Sequence, residues 1–283
     1  MVAIYRPTQL ADALAVLTNE TCTVFAGGTD LMVRHRVRPN IVADFSQPVM
    51  FIDAITELGQ IQTLADGTLR IGAAVTLAQL IAHPLIPDLL KQSAAKIAAP
   101  ALRNRATLVG NVCNASPAAD TLPILYLLDA KVQLQSCQGE RTMALTQFIL
   151  GPGQTPIDGC ELLTWLEIPP QQFTQTFYHK VGTRAANALT KVSVVAAAQV
   201  VDEHVLDWRI AFGAVAPTVV RSPSLEQLVV GLNVSQLQQT HFITQLQQQY
   251  AELIVPIDDQ RSTAKYRKQV ALNLLKRWLL MIN

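Results

Sequence analysis

The sequence predicts an α+β protein in two parts, divided near residue 170. Before that point short apolar periods of helix and strand alternate. After it, residues 176–181, 192–201 and 205–215 read as three strands in succession. A longer loop and Asp202-Glu203 join them, so an antiparallel sheet is the economical arrangement. Residues 224–232, 235–253 and 263–281 then carry a helical period to the end of the sequence. With 283 residues, half of them apolar and 15% charged, the chain can bury a large core, and its length points to roughly two domains.

The opening segment reads as a helix with Thr8 at its N-cap and Leu10, Leu14 and Leu17 on one face. A buried strand at 23–26 runs into Gly27-Gly28-Thr29-Asp30, and a second strand is expected at 41–45. Residues 60–73 form a hairpin turning at Asp66-Gly67. Thr76 caps a short helix, and 84–97 supplies another. Between 100 and 120, Pro100, Gly110 and Pro117 break any regular period. A helix follows at 122–128, with strands at 131–136 and 141–145. Gly151-Pro152-Gly153 marks a loop, and Pro169-Pro170 ends a strand at 161–168. The glutamine-rich stretch 236–249 is the polar face of a helix carrying Leu237 and Leu246.

Composition excludes several classes. There is no uninterrupted apolar run of about 20 residues, so no membrane span is expected. The N-terminus has no basic region followed by an apolar block, which argues against a signal peptide and for a soluble cytoplasmic protein. A net charge of +1 lacks the basic excess of a nucleic-acid binder. Cys22, Cys113, Cys137 and Cys160 are far apart and form no C-x-x-C pair, so neither a zinc knuckle nor an iron–sulfur cluster is signalled. They read as free buried thiols in a reducing compartment. The five histidines are equally scattered, and no metal ligand set emerges.

Two segments can carry chemistry. In Ala26-Gly27-Gly28-Thr29-Asp30-Leu31, consecutive glycines after a strand admit positive φ and close approach of a ligand to the backbone. Successive N–H groups there can form a nest for a pyrophosphate. The pattern is neither the dinucleotide fingerprint G-x-G-x-x-G nor a Walker loop, and a plain strand-to-loop turn also accounts for it. The second segment runs from Ala99 to Asp120, a long irregular stretch of small residues inside an apolar domain. Thr107, Asn111 and Ser116 offer hydroxyl and amide groups. Asp120 offers a carboxylate for ribose hydroxyls or for capping the helix that follows. Arg103 and Arg105 are read as pinning the loop rather than neutralising phosphate. Two such loops suggest one extended ligand.

Together, AGGTDL at 26–31, LRNRATLVGN at 102–111 and ASPAAD at 115–120 resemble the flavin-binding domain of molybdenum hydroxylases. RIGAAVTLAQL at 70–80, GPG at 151–153, ELLTWLEIPP at 161–170 and FGAVAPTVVR at 212–221 extend the likeness over essentially the whole chain. It looks most like the separate FAD-binding subunit of bacterial xanthine dehydrogenases. The resemblance implies an FAD-binding domain of the PCMH or vanillyl-alcohol-oxidase-like type over 1–170, with subdomains of about 1–55 and 56–170. A small C-terminal α+β domain over 171–283, a three-stranded antiparallel sheet plus helices, would follow.

By that resemblance Val24, Phe25, Ala26, Gly27, Gly28, Thr29, Asp30 and Leu31 wrap the FAD pyrophosphate. Thr107, Leu108, Val109, Gly110 and Asn111 form a second backbone clamp, and Asp120 is a polar contact. Ile97, Leu163 and Lys180 match further cofactor contacts, with plain core as the competing reading for Ile97 and Leu163 and an exposed strand charge for Lys180. Val109 departs from the family's Gly-Gly pair: a valine needing positive φ there would be strained, and one needing only close approach would push the flavin and weaken its binding.

The implied role is electron transfer: a molybdenum-cofactor large subunit oxidises substrate, a 2Fe–2S small subunit relays electrons, and FAD passes them to NAD or another acceptor. No side chain of this chain is needed as a general acid or base, so no catalytic residue is nominated and no metal is expected. The competing readings are a free-standing flavoprotein oxidoreductase and a degenerate scaffold subunit that has lost FAD.

Overall fold

The structure is a computed structural model and describes residues 2–36, 38, 43–184 and 187–283. In chain order its elements are β1 (Ile4–Tyr5), α1 (Leu10–Asn19), β2 (Thr23–Phe25), α2 (Leu31–Arg34), β3 (Val49–Phe51), β4 (Ile61–Thr63), β5 (Leu69–Gly72) and α3 (Leu77–Ala82). They continue as α4 (Asp88–Ala95), α5 (Pro100–Arg103), α6 (Leu108–Cys113), α7 (Leu122–Leu127), β6 (Lys131–Ser136), β7 (Gly139–Ala144), α8 (Leu145–Phe148) and β8 (Leu162–Ile168). The last third adds β9 (Gln175–Val181), β10 (Val192–Val201), β11 (His204–Gly213), α9 (Pro223–Glu226), α10 (Val234–Leu237), α11 (Thr240–Leu253) and α12 (Ala264–Met281).

The chain divides into two compact units. One comprises Met1–Ile86, Ala98–Ala115 and Ala130–Pro170; the other comprises Pro87–Ile97, Ser116–Asp129 and Gln171–Asn283.

The first unit holds two sheets. In the smaller, β3 lies between β1 and β2, all parallel, with Val49 and Met50 buried. The larger runs β4-β5-β8-β6-β7, antiparallel throughout. Its β4–β5 hairpin turns as expected: Gly67 takes φ +84°, and Asp66 accepts the Thr68 N–H at 2.9 Å. That hydrogen bond holds the Asp66 carboxyl below its ordinary range. Thr76 caps α3 in a capping box with Gln79.

In the second unit the sheet is β11-β10-β9, antiparallel, with β10 central and buried over residues 192–198. The three expected strands are therefore present. One layer of cover comes from α12 and α11, through Trp278, Leu275 and Tyr250. A strand buried on both faces needs a second layer. It comes from α4 and α7, and every residue of α7 is buried.

Several expectations are corrected. Gln9 rather than Thr8 precedes α1, without a side-chain cap. Of the strand expected at 41–45, residues 41 and 42 lie outside the described residues, and 43–45 carry no strand pairing. Residues 100–120 are not wholly irregular but contain α5 and α6. Residues 224–232 yield only the single turn of α9. The helix expected at 235–253 is split, because Asn233 and Gln236 close a capping box over the short α10 before α11 begins at Thr240. Leu237 and Leu246 are nonetheless both buried.

No helix among the described residues is long and apolar enough to cross a membrane. The cysteines are free thiols but not all buried as expected: Cys137 is exposed, and the other three are half-buried. Burial pushes the Cys113 thiol up to about 12, so its thiolate is scarce at neutral pH. In the native protein at pH 7.5, Cys137 is expected to react first with a maleimide. Peptide mapping that found Cys113 labelled ahead of it would contradict this.

Candidate functional site

The first glycine turn leaves β2 and enters α2. Phe25, the last residue of β2, is buried and packs on Phe51 of β3 with ring centroids 4.6 Å apart. Gly28 has φ +69°, and a Cβ there would lie 1.9 Å from the Phe25 ring. Both conformation and space therefore require glycine. A Cβ on Gly27 would lie 2.0 Å from the carbonyl oxygen of Arg105. Gly27 is what lets the first segment touch the second. The chain folds back through Met32, Val33 and Arg34, whose N–H groups donate to Gly28 O and Asp30 O at 2.9–3.0 Å. Among the described residues, the backbone N–H groups of Gly27, Gly28, Thr29 and Asp30 donate to no backbone carbonyl. Four such amides in one tight turn suit an anion.

The second segment is pinned from several sides. Leu77 N–H donates to Ala106 O at 2.8 Å, and Leu108 N–H to Val75 O at 3.3 Å. Arg103 donates to Ala98 O at 3.0 Å, as expected of a pinning residue, while Arg105 lies 3.9 Å from Asp53. Thr107 is the N-cap of α6, its hydroxyl accepting from Gly110 N–H at 3.0 Å. A Cβ on Gly110 would come within 2.7 Å of that hydroxyl, so glycine here serves the cap. Arg34 ties the two segments again by ion-pairing with Asp30 at 2.5 Å and hydrogen-bonding Asn114. Replacing Thr107 by alanine is expected to cost about 1 kcal/mol of stability, read from urea unfolding. An unchanged midpoint would show that the cap contributes nothing.

Val109 lies inside α6 without positive φ, its side chain buried. Valine is therefore unstrained here. Leu108 is buried too, so what this segment can offer a ligand is backbone rather than side chain. Leu163 is buried in β8, opposite Leu134, in the sheet against which α6 packs.

The second unit brings Ile97, Asp120 and Lys180 together. Lys180, on β9, donates to an Asp120 carboxylate oxygen at 2.6 Å and to the carbonyl of Lys96 at 3.0 Å. Ile97, next to Lys96, is half-buried. Lys180 is thus no exposed strand charge: its side chain is only 7% accessible. Asp120 does not cap α7, whose N-cap position is Thr121. Its other carboxylate oxygen accepts from Thr190 at 2.5 Å, and its backbone carbonyl accepts from Ser93 at 2.8 Å. Burial raises the Asp120 carboxyl above its ordinary value, while Lys180 and Thr190 oppose that rise. Sequence reasoning missed Thr190 and Ser93. The signal for Ser93 was a lone hydroxyl on a face otherwise made of Leu89, Leu90 and Ala94.

Residues 1–171 match the family model described as the FAD binding domain in molybdopterin dehydrogenase. Residues 177–282 match the CO dehydrogenase flavoprotein C-terminal domain. The chain belongs to the FAD-binding subunits of the molybdenum hydroxylases and is an oxidoreductase subunit.

It is 33% identical over 233 residues to the putative xanthine dehydrogenase FAD-binding subunit of Escherichia coli, covering 79% of this chain and 77% of that one. The glyceraldehyde dehydrogenase medium chain of Sulfolobus acidocaldarius is 26% identical over 272 residues, covering 94% and 92%. Among solved structures, carbon monoxide dehydrogenase from Hydrogenophaga pseudoflava has the same fold, with a TM-score of 0.86, 24% identity and coverage of 98% and 95%.

FAD is the cofactor of this subunit type, and the residues present fit it. Gly27 and Gly28 let the turn close against the Arg105 carbonyl and the Phe25 ring, and among the described residues the N–H groups of residues 27–30 donate to no backbone carbonyl.

Proposed function

We propose that this chain is the flavin-bearing electron-transfer subunit of a molybdenum hydroxylase. It works with a molybdenum-cofactor large subunit and a 2Fe–2S small subunit and passes electrons to NAD or another acceptor in the cytoplasm. When bound, FAD supplies the step between one-electron donors and a two-electron acceptor. The chain's own residues bind and orient it. Amides of Gly27 to Asp30 hold the pyrophosphate, with Val24, Phe25, Ala26 and Leu31 shaping that turn. The backbone of residues 107–111 forms the second clamp. Asp120 and Lys180 supply polar contacts, and Ile97 and Leu163 supply apolar ones.

The observation that carries this reading is the contact between the two glycine segments, seventy-odd residues apart in the chain, at Gly27 and the Arg105 carbonyl. The scaffold reading loses the support that rested on backbone strain, because Val109 sits unstrained in a helix. The names of the relatives, FAD-binding subunit and medium chain, support a multi-subunit setting over a free-standing oxidoreductase. The test is anaerobic mixing of the assembled complex with its reducing substrate. Bleaching of the flavin band after reduction of the iron–sulfur centres is expected. Flavin that stays oxidised while those centres are reduced would overturn the relay.

A further inference from the structure

The segment carrying Asp120 is gripped along its whole length by residues from beyond position 170. Near its start, Ala214 N–H donates to Pro117 O at 3.0 Å, with Ala214 at φ +62°. Asp120 is held by Lys180 and Thr190. At the far end of α7, Arg221 donates to Tyr126 O and Arg209 to Leu127 O. These two guanidinium groups also share the Asp129 carboxylate, Arg221 at 2.5 Å on one oxygen and Arg209 at 2.7 Å on the other. Asp129 takes φ +53°, which turns the chain out of α7 and under both arginines. Arg221 is in turn paired with the buried Glu226 at 2.9 Å, and Arg209 with Asp207 at 2.8 Å. The C-terminal carbonyls of a six-residue helix are thus satisfied by two cations, a placement that also suits the helix dipole.

We infer that Arg209 and Arg221, locked by Asp129, are positioning residues for Asp120: they fix the register of α7, and with it the carboxylate at the opposite end, for the flavin. The inference rests on the reading of Asp120 as a cofactor contact. Helix α7 is wholly buried and too short to bend, so a shift at its C-terminus moves its N-terminus as a body. Neither arginine touches Asp120, so their action is through the helix.

The test is titration of FAD into the apo form of the full chain, followed by quenching of flavin fluorescence. Asp129→Asn keeps size and tolerance of the left-handed turn but removes the shared charge. Arg221→Lys keeps the charge facing Glu226 but loses the fork that reaches Tyr126 and Asp129. Each is expected to raise the Kd for FAD about tenfold, within the usual range of coupling between linked sites. Glu161→Gln, which breaks the Arg141 pair in the other unit, is expected to leave Kd unchanged.

The same two substitutions in an Asp120→Asn background are expected to have almost no further effect on affinity. A merely structural role would weaken binding equally in both backgrounds, and that outcome, or unchanged Kd in the single variants, overturns the inference. Should Asp120→Asn alone leave FAD binding intact, the cofactor reading of Asp120 falls first and the positioning role falls with it.

Discussion

Gly27→Ala is expected to purify as a folded, colourless protein. The added methyl would sit 2.0 Å from the Arg105 carbonyl oxygen and 2.7 Å from its carbon, and both are backbone atoms that no rotamer change can move aside. The turn or its neighbour must therefore withdraw by more than an ångström. Overpacking of this kind costs about 1–3 kcal/mol of stability, which a domain of this size survives. The cofactor does not survive it, because amides that grip a pyrophosphate work only within a few tenths of an ångström. A rise in the Kd for FAD of about a hundredfold, ~2.7 kcal/mol, is expected by titration. Gly110→Ala is the informative comparison. Its methyl meets only the Thr107 hydroxyl, at 2.7 Å, and a side chain can turn away. A loss of affinity as large in Gly110→Ala as in Gly27→Ala would contradict the account.

Lys180→Met is the second large effect, and it falls on stability. The substitution leaves a buried carboxylate at Asp120 with Thr190 as its remaining side-chain partner. Breaking a buried ion pair from one side costs about 3–5 kcal/mol. The sign with pH follows from the raised Asp120 carboxyl. Such a group contributes stability at low pH that is lost as pH rises through its folded pKa. Removing Lys180 takes away the largest influence opposing that rise, so Asp120 moves further up. The penalty of Lys180→Met is therefore expected to be small near pH 5 and to grow toward pH 8. Asp120→Asn in the same chain should remove most of that pH dependence. Urea unfolding at the two pH values measures both. A penalty that is constant with pH, or larger at pH 5, would show that the pair is not held as described.

How much was legible in the sequence depended on how local each signal was. The sheet β9–β10–β11 and the Asp66-Gly67 hairpin announce themselves through long apolar runs and turn residues within a few positions. The first glycine turn was equally visible, because consecutive glycines after a strand are a local feature, whereas the second segment carries only Gly110. The strands β1 and β3 are two and three residues long and too short to show a period. Helices α5 and α6 are hidden by proline, glycine and asparagine, yet Pro100 stands at the first position of α5 and Thr107 caps α6, where those residues are favoured.

Within the site, the glycines were found for a reason that proved incomplete. Gly27 is required by contact with another stretch of backbone, which no local pattern reveals. The partners of Asp120 lie 27, 60 and 70 residues away, and the two arginines on Asp129 lie 80 and 92 away. Pairings at that range are set by the packing of α4 and α7 on the second sheet. For the same reason an exposed charge stood as the competing reading for Lys180, since alternation along β9 does not say which face carries a helix.

The central claim is that two distant glycine-bearing turns grip one dinucleotide. Hydrogen–deuterium exchange on the apo chain with one equivalent of FAD tests it most directly. Peptides covering residues 24–31 and 105–111 are expected to gain protection together and to saturate at the same ratio. Protection confined to one of them, or to neither, would contradict the claim.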